Sequence, residues 1–240
     1  TTLFRSSSAT ITLPNTIKTY TQPRYTRSNH PAGVRVTSTA DISLYALNYM
    51  SASFDVATVL PTRSLGTKYV LQDFLHTTSS NPHSYDGAEF CIVGTQNGTS
   101  VTVTFTPTKM DAYNTNNTAY NNTPWPKTYA NNSTYSFTID SGYVRQIMSP
   151  KQNTFTGSII TSDKPIAVFQ GRKITNVPNN SYGAPDHLYE QSIPTDFWGQ
   201  DFIVVPDART GGNYDYIQVT SQDYDCQVYI NGNLVGNTSS

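Results

Sequence analysis

Glutamate is nearly missing from this chain: Glu89 and Glu190 are the only two in 240 residues. Glycoside hydrolysis usually calls on two carboxylates about 5–10 Å apart. The shortage counts against that chemistry, although fourteen of the sixteen acidic residues are Asp and could supply a pair. Other catalytic signatures are missing as well. There is no H-E-x-x-H zinc site, no G-x-S-x-G nucleophile turn and no G-x-x-x-x-G-K phosphate loop. The expectation is a noncatalytic chain with no cofactor and no metal.

Cysteine is equally scarce. Cys91, in "EFCIVG", and Cys226, in "DCQVYI", are too few for a disulfide framework or a zinc site. Two buried thiols are expected, with a single bridge as the alternative. Lys and Arg number 15, the net charge is −1, and no basic stripe occurs. Nucleic acid and anionic membrane surfaces both need clustered cations, so neither is an expected partner. No apolar run approaches the roughly 18–20 residues of a membrane span. "TTLFRSSS" shows no secretory signal, so a mature or trimmed product is expected. Sustained apolar spacing at three and four residues, the mark of a helix, is not found.

What remains is strand. In "SVTVTF", Val101, Val103 and Phe105 share one face. In "YSFTI", Tyr135, Phe137 and Ile139 do the same. Such alternation marks half-buried antiparallel strands. "PIAVF" is apolar on both faces, as in a central strand, with Pro165 at its start and "TSDK" as the turn before it. Thr and Tyr suit pleated surfaces, and Asn, Gly and Pro punctuate them. The fold class is all-β.

The chain also repeats itself. "VRVTSTADISLYALN", Val34 to Asn48, aligns with "SIITSDKPIAVFQGR", Ser158 to Arg172, pairing Val36 with Ile160 and Ile42 with Ile166. "LPTRSLGTKYVL" from Leu60 aligns with "IPTDFWGQDFIV" from Ile193, pairing Pro61 with Pro194, Gly66 with Gly199, Leu65 with Trp198 and Tyr69 with Phe202. "FCIVGTQNGTSVTV" finds a counterpart at Tyr216, and "ATITLPNTIKTY" a weaker one at Tyr135. A repeat of this kind bears on the whole fold. Two tandem antiparallel β-sandwich-like units are expected, 1–107 and 128–240, joined by the Asn- and Pro-rich stretch 108–127. The alternative makes 108–127 a long hairpin loop, with both halves sharing sheets; such a loop would exceed the usual few residues.

Two groups of residues invite a functional reading. "DHLYEQ" holds Asp186, His187, Glu190 and Gln191. His187 with Glu190 could be an acid–base or metal pair, but a spacing of three puts them on opposite faces of a strand. The preferred reading is a buried hydrogen-bonded cluster that pins a loop to the sheet. The second group is Trp125, Tyr113, Tyr120 and Tyr129, aromatics in a polar loop that could stack on sugars or anchor an interface. Residues 111–123 offer one carboxylate, Asp111, among amides, and read as a polar loop rather than a calcium site. Asn-x-Ser/Thr acceptors occur at Asn97, Asn116, Asn121, Asn131, Asn132, Asn179 and Asn237. Trp198 is expected in the core.

"LYALNYMSASFDVATVLPTRSLGTKYVL" and "ITSDKPIAVFQGR…DHLYEQSIPTDFWGQDFIVV" together resemble the IgG Fc-binding protein N-terminal domain family. The matching phrases cover most of residues 34–230. The resemblance implies a secreted or cell-surface binding module with no catalytic residues to transfer. The chain lacks the cysteine-rich modules of the animal protein, and a bacterial surface member is expected. Its function is then noncatalytic adhesion to an extracellular protein or glycan, mucin-like or immunoglobulin-like. The alternatives are a carbohydrate-active enzyme or accessory module, and a structural spacer of a larger surface protein.

Overall fold

A computed structural model describes residues 8–13, 27–50, 53–74, 88–106, 130–149, 154–177, 186–205, 216–222 and 225–238. These residues form strands β1 (Arg27–His30), β2 (Leu44–Met50), β3 (Ser53–Val59), β4 (Gly66–Val70), β5 (Ala88–Gly94) and β6 (Thr99–Thr104). They continue with β7 (Thr134–Ile139), β8 (Val144–Met148), β9 (Ile159–Thr175), β10 (Asp186–Gln191), β11 (Cys226–Ile230) and β12 (Asn233–Thr238). Two single-turn 3₁₀ segments, Thr62–Ser64 and Thr195–Phe197, are the helical elements among the described residues.

Eight strands join one antiparallel sheet in the order β1-β8-β5-β9-β6-β7, with β10 and β4 also paired to β9. β9 is the hub. Its first half faces β4 and β6, from Val70↔Ile159 and Thr104↔Ile159 onward. Its second half faces β5 and β10, through pairs such as Phe90↔Gln170 and Glu190↔Gln170. The changeover falls at Ser162–Pro165, overlapping the "TSDK" expected to be a turn. "TSDK" is instead continuous strand, because its polar groups find partners beside it. Asp163 Oδ1 accepts the Ser100 amide at 2.8 Å, and Lys164 Nζ donates to the Asn97 carbonyl at 2.6 Å. Pro165 sits at this irregularity, where a missing N–H breaks no regular ladder.

β6 and β7 pair directly, from Thr99↔Ile139 to Thr104↔Thr134. Strands from both expected units therefore alternate in one sheet, and residues 107–129 connect the two arms of a hairpin. One core follows. Tyr69, Leu71, Phe90, Ile92, Val101, Val103, Phe105, Ile139, Ile147, Phe155, Ile160, Ile166 and Val168 form a single buried cluster. Phe155 meets Phe90 edge to face at 4.9 Å. Each fully buried aliphatic or aromatic side chain contributes about 1.5–3 kcal/mol. A charged pair borders the cluster. Burial pushes the Asp73 carboxyl up, opposed by the fully buried Arg172, and Asp73 Oδ2 accepts the Phe155 amide at 3.0 Å.

Ile42 and Ile166, matched in the repeat, have different surroundings. Ile166 is fully buried on β9, whereas Ile42 is 57% exposed and outside any strand. Both cysteines are free. Cys91 is half-buried on β5, and desolvation, then the Glu89 charge, raises its thiol pKa. Cys226 corrects the expectation of two buried thiols: it is exposed, because β11 pairs with β12 and neither strand has a covered face. Trp198 is half-buried outside the core cluster, its indole N–H donating to the Ile193 carbonyl at 3.1 Å.

Candidate binding site

The hairpin of β2 and β3 is a two-stranded sheet of its own, in register from Leu44↔Val59 to Met50↔Ser53. Period two divides its side chains between two faces. Ala46, Asn48, Asp55 and Ala57 turn toward the body, and Ala57 is fully buried. Tyr45, Leu47, Tyr49, Phe54 and Val56 occupy the other face and are 46–67% exposed. The pairs Leu47↔Val56 and Tyr49↔Phe54 make this one continuous apolar face rather than scattered side chains.

Three contacts fasten the inner face to the main sheet. Asp55 Oδ2 accepts the Tyr189 amide at 2.8 Å, on β10. Gln191 Oε1 accepts the Leu60 amide at 2.7 Å. Asn48 Nδ2 lies 3.3 Å from His187 Nε2 and donates to it when that nitrogen is unprotonated. The His187 ring then turns Nδ1 toward Glu89, 4.0 Å from Oε1, and Glu89 Oε2 accepts from Gln146 Nε2 at 2.8 Å. His187 stacks on Tyr189, and Tyr189 lies flat on Phe169 with ring centroids 5.4 Å apart. Burial raises the Tyr189 phenol pKa, with the Cys91, Glu190 and Glu89 charges adding to it.

His187 and Glu190 are not brought together as a pair. Tyr189 and Gln191 share the face of Gly171 and Phe169, whereas Glu190 lies opposite Gln170 on the other face. Burial and then the Asp55 charge raise the Glu190 pKa, and its Oε1 accepts the Gln191 amide at 3.1 Å. Asp186 is exposed and its Oδ1 accepts the His187 amide. No group of three His, Cys, Asp or Glu placed to hold a metal occurs among the described residues. Trp125, Tyr113, Tyr120 and Tyr129 lie outside the described residues.

The signature of the family described as IgGFc binding protein matches residues 55–240. The chain belongs to the IgGFc-binding protein family. A human relative, "IgGFc-binding protein", is 26% identical over 195 residues, which is 81% of this chain and 3% of the relative. The chain thus spans about 3% of the length of the curated relative it matches. No solved structure matches it. The IgGFc-binding signature begins at Asp55, on β3, so β2 with Tyr45, Leu47 and Tyr49 lies ahead of it.

Sequence reading missed two things in this family member. The partner of His187 is Glu89, 98 residues earlier, and no local spacing signals that. The apolar face shows as alternation in "LYALNY" and "SFDV", but only the pairing of β2 with β3 puts the two runs on one face.

Proposed function

We propose that this chain is a noncatalytic binding module, secreted or at a cell surface, bacterial or otherwise, that grips an extracellular protein through the outer face of the β2–β3 hairpin. The observation that carries the reading is the continuous exposed patch of Tyr45, Leu47, Tyr49, Phe54 and Val56 on a hairpin held from beneath by Asn48, Asp55 and the Leu60 amide. Tyr and Phe are enriched at the centres of interfaces, and contiguous apolar patches mark interaction sites. Membership in a family named for binding agrees with it, and no helix among the described residues is long and apolar enough to cross a membrane. Immunoglobulin-like and mucin-like proteins are the first partners to try. The loop residues Trp125, Tyr113, Tyr120 and Tyr129 are proposed as a second contact group.

The test immobilises immunoglobulin Fc and mucin separately and measures capture of wild-type, Tyr49→Ser and Phe54→Ser chains. An aromatic anchor typically contributes about 2 kcal/mol or more, so each variant should lose roughly thirtyfold in affinity. Capture that is unaffected by both variants, or silence on every partner together with turnover of a glycoside substrate, rejects the proposal.

A further inference from the structure

Two stretches outside the strands, bent at Thr39–Ala40 and at Gln200, carry exposed apolar side chains and enter no strand pairing among the described residues. One is 34–43, with Val36 46% and Ile42 57% exposed; the other is 199–205, with Phe202 73% and Ile203 95% exposed. In the internal repeat these stretches correspond to β9 and β4. The whole sheet pairs β4 with β9 antiparallel, burying Tyr69, Val70, Ile160 and Ile166 between them and their neighbours. The chain therefore contains one satisfied example of this pairing, and separately an unsatisfied copy of each half.

The approach to the two β4-like stretches is alike in detail. Pro61 (φ −63°, ψ 150°) and Pro194 (φ −58°, ψ 146°) each open a single 3₁₀ turn. Matching bonds close it: Ser64 to Pro61 at 2.8 Å and Leu65 to Thr62 at 3.3 Å, against Phe197 to Pro194 at 3.0 Å and Trp198 to Thr195 at 3.2 Å. Leu65 and Trp198 then lead out with ψ of 151° and 150°. The two approaches match as far as Trp198; beyond it the chain bends at Gln200, and Asp201–Val205 pair with no strand among the described residues.

We propose that residues 199–205 of one molecule add as an antiparallel strand to residues 34–42 of a second copy of this chain. The register follows from β4 and β9 carried through the repeat, on which the proposal rests. Gly66↔Ile166 becomes Gly199 against Ile42, Lys68↔Thr161 becomes Asp201 against Thr37, and Tyr69↔Ile160 becomes Phe202 against Val36. The occupant is a second copy because each chain offers both halves while the described fold leaves both unpaired. Strand addition of this kind draws affinity from main-chain hydrogen bonds and selectivity from alternate side chains. The contact is head to tail, so it propagates into rings or open filaments instead of stopping at a symmetric dimer. It uses neither face of the β2–β3 hairpin, so it stands or falls separately from the proposed ligand surface.

The test is oxidative cross-linking in a Cys226→Ser background, which removes the exposed native thiol. Residues directly opposite in an antiparallel pair have Cα atoms about 4.5–5.5 Å apart, within disulfide reach. Val36→Cys mixed with Phe202→Cys should give a disulfide-linked dimer, and the double variant a ladder of higher oligomers. Either single variant alone should give neither. Sedimentation at rising concentration should show association that Phe202→Asp abolishes and Phe197→Asp, exposed but outside the strand, leaves intact. Absence of the mixed dimer, equal dimer from the single variants, or closure of the double variant within one monomer overturns the proposal.

Discussion

The Tyr69 hydroxyl donates a 2.5 Å hydrogen bond to the Ile166 carbonyl and accepts a 2.9 Å one from the Gly66 amide. It does so inside the core, where β4 crosses the bend of β9, and it closes the ladder that the irregularity there leaves open. Tyr69→Phe keeps the ring and orphans both backbone groups. At about 1–3 kcal/mol for each orphaned group, the variant should lose roughly 2–4 kcal/mol in urea unfolding.

The same phenol makes stability depend on alkaline pH. Burial raises its pKa above 10; the Gly66 amide bond opposes the shift and the Asp196 charge adds to it. A group whose folded pKa is raised stabilises fully below its unfolded value and loses that contribution as pH rises through the folded one. The Tyr69 contribution should therefore hold up to about pH 10 and decline above it. Tyr69→Phe should lack this part of the decline, which unfolding midpoints measured from pH 8 upward would show.

Ile166 and Ile42 separate the core from its sequence look-alike. Ile166→Asp buries an unpaired charge at the hub strand, at a cost of several kcal/mol. Because one core serves both halves of the chain, hydrogen exchange should report loss of protection in β4, β5 and β6 as well as in β7 to β9. Ile42→Asp, on an exposed position, should change stability by no more than about 0.5 kcal/mol. Independent collapse of only residues 128–240 on Ile166→Asp would show that the halves fold separately.

Gly171 meets the Leu188 backbone too closely for any side chain. A Cβ there would lie 1.9 Å from the Leu188 carbonyl oxygen, which belongs to backbone and cannot swing aside. Gly171→Ala should part β10 from β9, and with β10 goes the anchorage of the hairpin. The expected result is a loss of at least about 2 kcal/mol and faster exchange in residues 44–59 and 186–191. Normal protection there would show that the strands can separate slightly at no cost.

The two thiols should differ in reactivity. Thiolate is the nucleophile, and a raised pKa suppresses it. Cys226, exposed on β11, should be labelled by a maleimide in the native state, and Cys91 only after unfolding. Mass spectrometry of the digested, labelled chain reads both sites at once.

How much of this was legible in the letters depends on distance along the chain. β6 and β7 were, because Val101, Val103, Phe137 and Ile139 obey a local alternation that pairing merely confirms. The long hub was not, because Ser162, Asp163 and Pro165 have turn chemistry and their strand conformation depends on bonds to Ser100 and to the Asn97–Gly98 turn. The repeat predicted like surroundings for like residues, yet within one chain Ile42 is exposed where Ile166 is buried. At the candidate site, the "DHLYEQ" residues were found from sequence, but Glu89, Gln146, Asn48 and Asp55, which decide what His187 and Tyr189 do, come from four other strands.

The late position of β9 has a consequence for synthesis. A ribosome makes β4, β5 and β6 before it reaches Ile159, so three apolar strands emerge with their common partner still untranslated. Contacts so distant in sequence form slowly, and unpaired strands are aggregation-prone while they wait. The β4, β5 and β6 strands should therefore stay open until β9 has been made, a form that a chaperone would be expected to shield.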